Sequence, residues 1–233
     1  MTRRFRAPFL PGEGERVQLD AEVSHHLLRV TLVPRGEAVI LFDGQGAECD
    51  GRLVDSDGER AVVLATSGAR QVSALAPRVM VMGLTRKPAW DLSLRLATEL
   101  GMTELRPFVA RRSIAQGDHL DRWERITSEA ARQCGRADAP TLRPVAPLRA
   151  QLSGLVGHRL VLTPGANPTR PAAEDEALCL LLGPEGGLAP DELALAAEAG
   201  FVTASLGRWT LRADTAVAVA LARYAPSEAP PNR

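Results

Sequence analysis

The sequence predicts an α/β protein in two parts, a small β-rich N-terminal region followed by a larger domain built on a parallel sheet. Three observations carry that prediction. The first seventy residues hold short apolar runs separated by Asp/Gly turns. From residue 78 onward, apolar runs alternate with amphipathic stretches of helical period. Between residues 180 and 215 two strand ends each open into a polar, glycine-containing loop, LLLGPEGG and SLGRWTLRADT.

In the N-terminal part, residues 37–42 (EAVILF) precede the turn Asp43-Gly44-Gln45-Gly46, and residues 47–54 follow. Asp55-Ser56-Asp57-Gly58 turns the chain again and 60–65 (RAVVLA) returns. Such a meander suits a small barrel. Gly44-x-Gly46 imitates the start of a dinucleotide fingerprint, but Cys49 stands at the third glycine position and no helix is expected after it, which excludes that reading. Residues 71–77 (QVSALAP) are the expected linker.

Beyond the linker, 78–84 (RVMVMGL) is a buried strand, and 88–100 a helix with Pro88 at its start and Gly101 as its stop. Residues 104–109 form a strand. The helix expected over 121–133 carries Trp123, Ile126 and Ala130 on one face. Strands at 159–162, 177–182 and 201–206, with helices starting at Pro190 and near Asp214, complete the set. The run 177–182 is apolar at every position, as a strand covered on both faces requires. Residues 226–233 are expected to be disordered.

Composition narrows the function classes. Of 233 residues 45% are hydrophobic, enough for a packed core, and 28 basic residues balance 28 acidic ones. That balance argues against a protein that coats nucleic acid by net charge. The distribution is uneven: residues 106–149 carry nine arginines against five acids, whereas 171–200 carry seven acids and no Arg or Lys. Lys87 is the single lysine. The basic N-terminus is followed by Pro8, Pro11 and Glu13 rather than an apolar run, so no membrane segment is expected and the protein is placed in the cytoplasm. Cys49, Cys134 and Cys179 are far apart and read as structural thiols; with four histidines and no H-E-x-x-H, no metal site is expected.

The two loops carry the chemistry. Gly183, Pro184, Glu185, Gly186 and Gly187 offer almost no side-chain bulk except one carboxylate, so backbone groups can approach a ligand closely. Alone, GPEGG reads equally well as a tight strand-to-helix turn. Loops after two successive parallel strands fall at the same sheet end, where open α/β folds bind ligands. That adds Gly207 through Arg212 to the same pocket.

Across nearly its whole length the sequence resembles the bacterial 16S rRNA (uracil-1498-N3)-methyltransferases of the SPOUT superfamily. The blocks are Arg3-Arg4-Phe5, HHLLRV at 25–30, LFDGQG at 41–46, ATELG at 97–101, RRS at 111–113, RW at 122–123, EAARQCGR at 129–136, LLGPEGGL at 181–188 and LGRWTLRADTA at 206–216. The resemblance implies a PUA-like β-barrel over 1–70, a linker over 71–77, a SPOUT domain with a trefoil knot over 78–228 and a tail over 229–233. It further implies a homodimer, S-adenosyl-L-methionine held in the knot, and a uridine N3 of 16S rRNA as acceptor, within the 30S subunit. Carried over by motif, the cofactor residues are Leu162, Thr163, Gly183, Pro184, Glu185, Gly186, Gly187, Leu206, Gly207 and Leu211. Ala189 departs from the family's usual serine, which removes a helix N-cap side chain and leaves Glu192. Asp214 stands where the family commonly has a glutamate.

Methyl transfer from a sulfonium to uracil N3 needs orientation and a means of accommodating the N3 proton's loss. Arg212, always charged, is the candidate to stabilise negative charge on the uracil oxygens; the alternative is a salt bridge to Asp214 or a partner subunit. Arg4, Arg6, His26, Arg29, Arg111, Arg112 and Arg136 are candidates for RNA contact. His26 and Leu28 read equally as barrel strand residues, and Trp209 either stacks on a base or packs its loop. The competing functions are a SPOUT enzyme acting on a ribose 2′-hydroxyl, a non-catalytic RNA-binding assembly factor, and a nucleotide-phosphate binder that lacks the expected Lys-Ser/Thr.

Overall fold

The computed structural model describes residues 3–72, 76–115, 117–167, 169–173 and 175–225. The chain divides into two compact units, Met1–Ala74 with Ser128–Ala139, and Leu75–Thr127 with Pro140–Arg233. The sequence-predicted linker falls partly, and the tail wholly, outside the described residues.

The first unit is a six-stranded sheet. Its strands are β1 (Arg3–Arg6), β2 (Arg16–Gln18), β3 (Ala38–Phe42), β4 (Ala47–Asp57), β5 (Arg60–Ala65) and β6 (Arg70–Gln71). They pair in the order β1-β3-β4-β5-β2, with β6 on β4. Only β1 and β3 run parallel. Phe5, Leu19, Leu27, Leu41, Cys49, Leu53 and Val63 form its core.

Two expectations are corrected here. The chain does not turn at 55–58: β4 continues to Asp57 through an irregularity between Leu53 and Asp55, and the turn falls on Gly58, whose φ is +63°. Asp55, Ser56 and Asp57 are all exposed, so a strand tolerates three polar residues there. His26 and Leu28 are helical rather than strand residues. Helix α1 (Ala21–His25) runs into a π-helical turn at His26–Val30, closed by Thr31 N–H donating to His26 O at 2.8 Å. Val23 and Leu27, four apart, pack on the sheet core.

The second unit is a fully parallel sheet in the order β12-β10-β11-β7-β8-β9. These strands are β7 (Arg78–Gly83), β8 (Glu104–Phe108), β9 (Thr141–Leu142), β10 (His158–Leu162), β11 (Leu178–Leu182) and β12 (Val202–Ala204). Helices α2 (Lys87–Glu99), α4 (Leu148–Leu152), α5 (Pro190–Glu198) and α6 (Ala213–Tyr224) belong to this unit, and α3 (Leu120–Cys134) contributes its first half. Residues alternate between two cores. Met80, Met82, Leu178, Leu180 and Leu182 pack with Trp90, Leu94, Val217 and Leu221 on one face. Val79, Val81, Cys179 and Leu181 pack with Leu148, Leu152 and Ala196 on the other. The continuous apolar runs follow directly from this two-sided cover. Helix α2 starts beside Pro88 and ends at Gly101, φ +86°. The expected strand at 201–206 is shorter, because Ser205 Oγ donates to Gly207 O at 3.0 Å and accepts from Gly207 N–H at 3.2 Å, folding the chain into a loop.

Cys49 and Cys179 are buried as expected, while Cys134 is exposed. Among the described residues no group of His, Cys, Asp and Glu is placed to hold a metal ion, and no helix is long and apolar enough to cross a membrane.

Candidate functional site

β10, β11 and β12 are adjacent and parallel, so the loops leaving their C-terminal ends lie side by side. Those loops enclose a cavity of about 600 Å³. Leu162, Thr163, Gly183, Pro184, Glu185, Gly186, Gly187, Leu206, Gly207 and Leu211 all line it, as does Arg212. One cavity therefore gathers every cofactor candidate named from the sequence.

Local chemistry fixes each wall. A Cβ on Gly183 would lie 2.9 Å from the backbone of Gly187 and of Leu188, so only glycine lets the chain reverse this tightly after β11. A Cβ on Gly186 would meet Arg112 Cβ at 2.9 Å, and Arg112 Nη1 donates to Gly186 O at 3.0 Å, which seats that arginine at the cavity wall. Behind the third loop, Tyr224 OH donates to Ser205 O at 2.7 Å from a fully buried position.

Helix α5 begins at the far side of the Gly183–Gly187 loop. Ala189, its N-cap, has no side-chain acceptor, but the Glu192 carboxylate accepts from Ala189 N–H at 2.7 Å and from Arg111 N–H at 2.9 Å. Glu192 thus joins the RRS segment to the start of α5. Glu185 is exposed and its Oε1 accepts from Arg86 N–H at 3.4 Å.

Arg212 is the N-cap of α6, with its side chain 81% exposed. Its Nε lies 3.8 Å from Asp214 Oδ1, at the edge of ion-pair range, so that pairing leaves the guanidinium free to meet a ligand. A cation at the positive end of a helix gives the cavity an anion-attracting corner. Thr163 Oγ1 is buried against the same cavity and has no hydrogen-bond partner among the described residues. An orphaned hydroxyl, three peptide-rich loops and a volume of this size fit a nucleoside-containing cofactor that uses backbone groups for recognition.

The RNA candidates divide. Arg112 lines the cavity, and Arg111, beside it in sequence, pairs with Asp191 at 2.7 Å through an exposed guanidinium. In the first unit Arg6 and Arg29 are exposed. Arg4 pairs with Glu48 at 2.5 Å and Arg136 with Asp138 at 2.8 Å, both with largely buried side chains. His26 Nε2 lies 3.1 Å from Arg132 Nη1.

Sequence reasoning missed Leu182, Leu188, Leu193, Ser205 and Ala216 as cavity walls. Leu193 and Ala216 sit in the first turns of α5 and α6, and that position relative to the strand ends is the signal that finds them.

The family model of the RNA methyltransferase domain matches residues 74–225. Ribosomal RNA small subunit methyltransferase E of Mycobacterium tuberculosis (strain CDC 1551 / Oshkosh) is 32% identical over 93% of this chain and 88% of its own length. The protein of the same name from Synechocystis is 30% identical, covering 89% of this chain and 72% of that one. Among solved structures, ribosomal RNA small subunit methyltransferase E from Neisseria gonorrhoeae, bound to S-adenosyl methionine, superposes with a TM-score of 0.84 at 27% identity, over 95% of this chain and 96% of that one. With the parallel sheet and the three-loop cavity already in place, these matches make the chain a member of the ribosomal RNA small subunit methyltransferase E family of RNA methyltransferases.

Proposed function

We propose that this protein methylates N3 of a specific uridine, of the 1498 type, in 16S ribosomal RNA of the small subunit, using S-adenosyl-L-methionine. The observation that carries the proposal is the single cavity formed by the loops after β10, β11 and β12, with Arg212 at its wall. Leu162, Thr163, the Gly183–Gly187 loop, Leu206, Gly207 and Leu211 would hold the cofactor, which supplies a methyl group already activated on a sulfonium. Thr163 Oγ1, without a partner among the described residues, would be free to bond the cofactor.

The residues of this chain supply position and charge. Uracil N3 is a poor nucleophile until its proton leaves, and the negative charge then spreads to O2 and O4. The Arg212 guanidinium, at the start of α6, stabilises that charge and so eases the proton's departure to solvent water. Arg111 and Arg112 hold backbone phosphates near the cavity, and Arg6 and Arg29 do so on the first unit. Arg4 and Arg136 are committed to carboxylates and hold the fold. We further propose that the first unit is a PUA-like barrel, that the chain around β10–β12 forms a trefoil knot, and that the enzyme works in the cytoplasm as a homodimer on the 30S particle.

The test is to incubate the protein and labelled cofactor with 30S particles and with free 16S RNA, then locate the label by mass spectrometry. Label on uracil N3 is expected; label on a ribose oxygen, or none, would overturn the reading. Arg212→Ala is expected to lower kcat roughly 10²–10³-fold while calorimetry shows cofactor binding retained. Wild-type turnover in that variant removes Arg212 from the reaction.

A further inference from the structure

We propose that Trp209 is the stacking platform on which the acceptor base rests, outside its RNA stack, at the mouth of the cofactor cavity. This deepens the reading above and rests on it. The chain has nine aromatic residues and three tryptophans. Trp90 and Trp123 are each 2% exposed and pack on one another with ring centroids 5.0 Å apart. Trp209 is 71% exposed and lines the cavity. An indole left in water forfeits the burial that places the other two in the core, so it is not packing its own loop.

Its surroundings fit a nucleotide. The Arg208 guanidinium lies 4.9 Å from the centre of the Trp209 ring, and Arg112 and Arg212 line the same cavity. Aromatic surface flanked by guanidinium groups is the combination that takes an unstacked base together with its phosphates. The loop is also held in place. Gly207, φ +141°, turns the chain just before it, the Ser205–Gly207 hydrogen bonds tie its base, and α6 starts four residues after Trp209, at Ala213.

The chemistry requires such a surface. N3 lies on the base-pairing edge, out of reach while the base is paired and stacked, so the uridine must leave its neighbours before its N3 can meet a methyl donor. An indole face replaces the lost stacking partner and holds the ring edge-on to the cavity. Arg212 then reaches O2 or O4 of the same ring.

The prediction is tested on the whole protein. Because Trp90 and Trp123 are buried, iodide quenching of tryptophan fluorescence reads Trp209. A short uridine-containing RNA of the target sequence, added with S-adenosylhomocysteine, is expected to shield it, and S-adenosylhomocysteine alone is not. Trp209→Ala should raise KM for RNA roughly 5- to 150-fold with cofactor affinity unchanged by calorimetry, and Trp209→Phe should restore most of the loss. Shielding by the cofactor alone, with loss of cofactor affinity in Trp209→Ala, would make the residue a cofactor contact and overturn the proposal. Shielding that follows protein concentration without RNA would assign it to a second copy and overturn it equally, as would a wild-type KM in Trp209→Ala. Mapping the wild-type product separates the two levels: methyl on uracil N3 without shielding by RNA sinks the platform alone, whereas shielding without methyl on uracil N3 sinks the methyltransferase reading.

Discussion

Arg106 Nε and Arg143 Nε both donate to one oxygen of Glu104, at 2.9 and 2.8 Å, on the strand next to β7. Burial raises the pKa of that carboxyl, but the two guanidiniums outweigh it and hold the group below the usual glutamate value of 4.5. A carboxyl depressed on folding stabilises the native state above 4.5 and loses that contribution as pH falls through its folded value. Glu104→Gln is therefore expected to cost about 1–2 kcal/mol at pH 7, with the gap from wild type closing in denaturant titrations below pH 4. A gap independent of pH would show that packing, not charge, is at stake. Cys179 shows the opposite effect: burial in β11 pushes its thiol up to about 11, in keeping with a small apolar core residue. The residue scale is also where the sequence was least informative. Nothing in Arg4 or Arg136 as letters separates an arginine bound to Glu48 or Asp138 from one free to meet phosphate, because Arg4 and its partner are 44 positions apart. The place of Arg212 on the cavity wall was legible because its motif sets it at a loop end that three parallel strands bring to one place.

Elements were readable where their hydrophobic period is regular. Strand β5 lies where its apolar run puts it, and α2 and α3 start and stop within two residues of their sequence signals. Short elements failed. Helix α1 and its π-turn span ten residues with one fully buried apolar anchor, Leu27, and two partly buried ones, Val23 and Leu28, and the two Asp/Gly signals on either side of β4 look alike although only Gly58 turns the chain after it. The sequence predicts β12 too long because Leu206 continues the apolar pattern into what is a cavity wall. The one element whose sequence defect the structure locates is α5. Its N-cap Ala189 has β-region φ and ψ, −76° and 159°, the geometry in which a serine hydroxyl accepts from the first turn. Ala189→Ser is expected to add about 0.5–1 kcal/mol, read from the denaturation midpoint, with no change in cofactor affinity. A loss of stability would mean the buried hydroxyl finds no donor.

At the scale of the whole molecule, alternating strands and helices announced the parallel sheet, and the glycine loops announced which end of it matters. What was not legible is that the first unit is discontinuous. It takes up Ser128–Ala139, and Gly46 N–H donates to Ala137 O at 3.3 Å while Gly44 and Gln45 bridge to Asp138. Helical period over 120–134 reveals an amphipathic helix but not that its two halves fall in different units. Amide exchange in β3 and β4 is accordingly expected to be faster in a fragment of residues 1–74 than in the intact chain; equal protection would show that the later segment adds nothing. The same discontinuity sets a timetable for synthesis. When residue 74 has been made, the sheet has all its strands but not the segment that completes the unit, and at ~5–20 residues per second that segment follows only several seconds later. During that interval the N-terminal sheet is a nascent chain with an open flank, so where protein is made fast and chaperones are scarce, its yield should depend on translation rate before it depends on the stability of the finished fold.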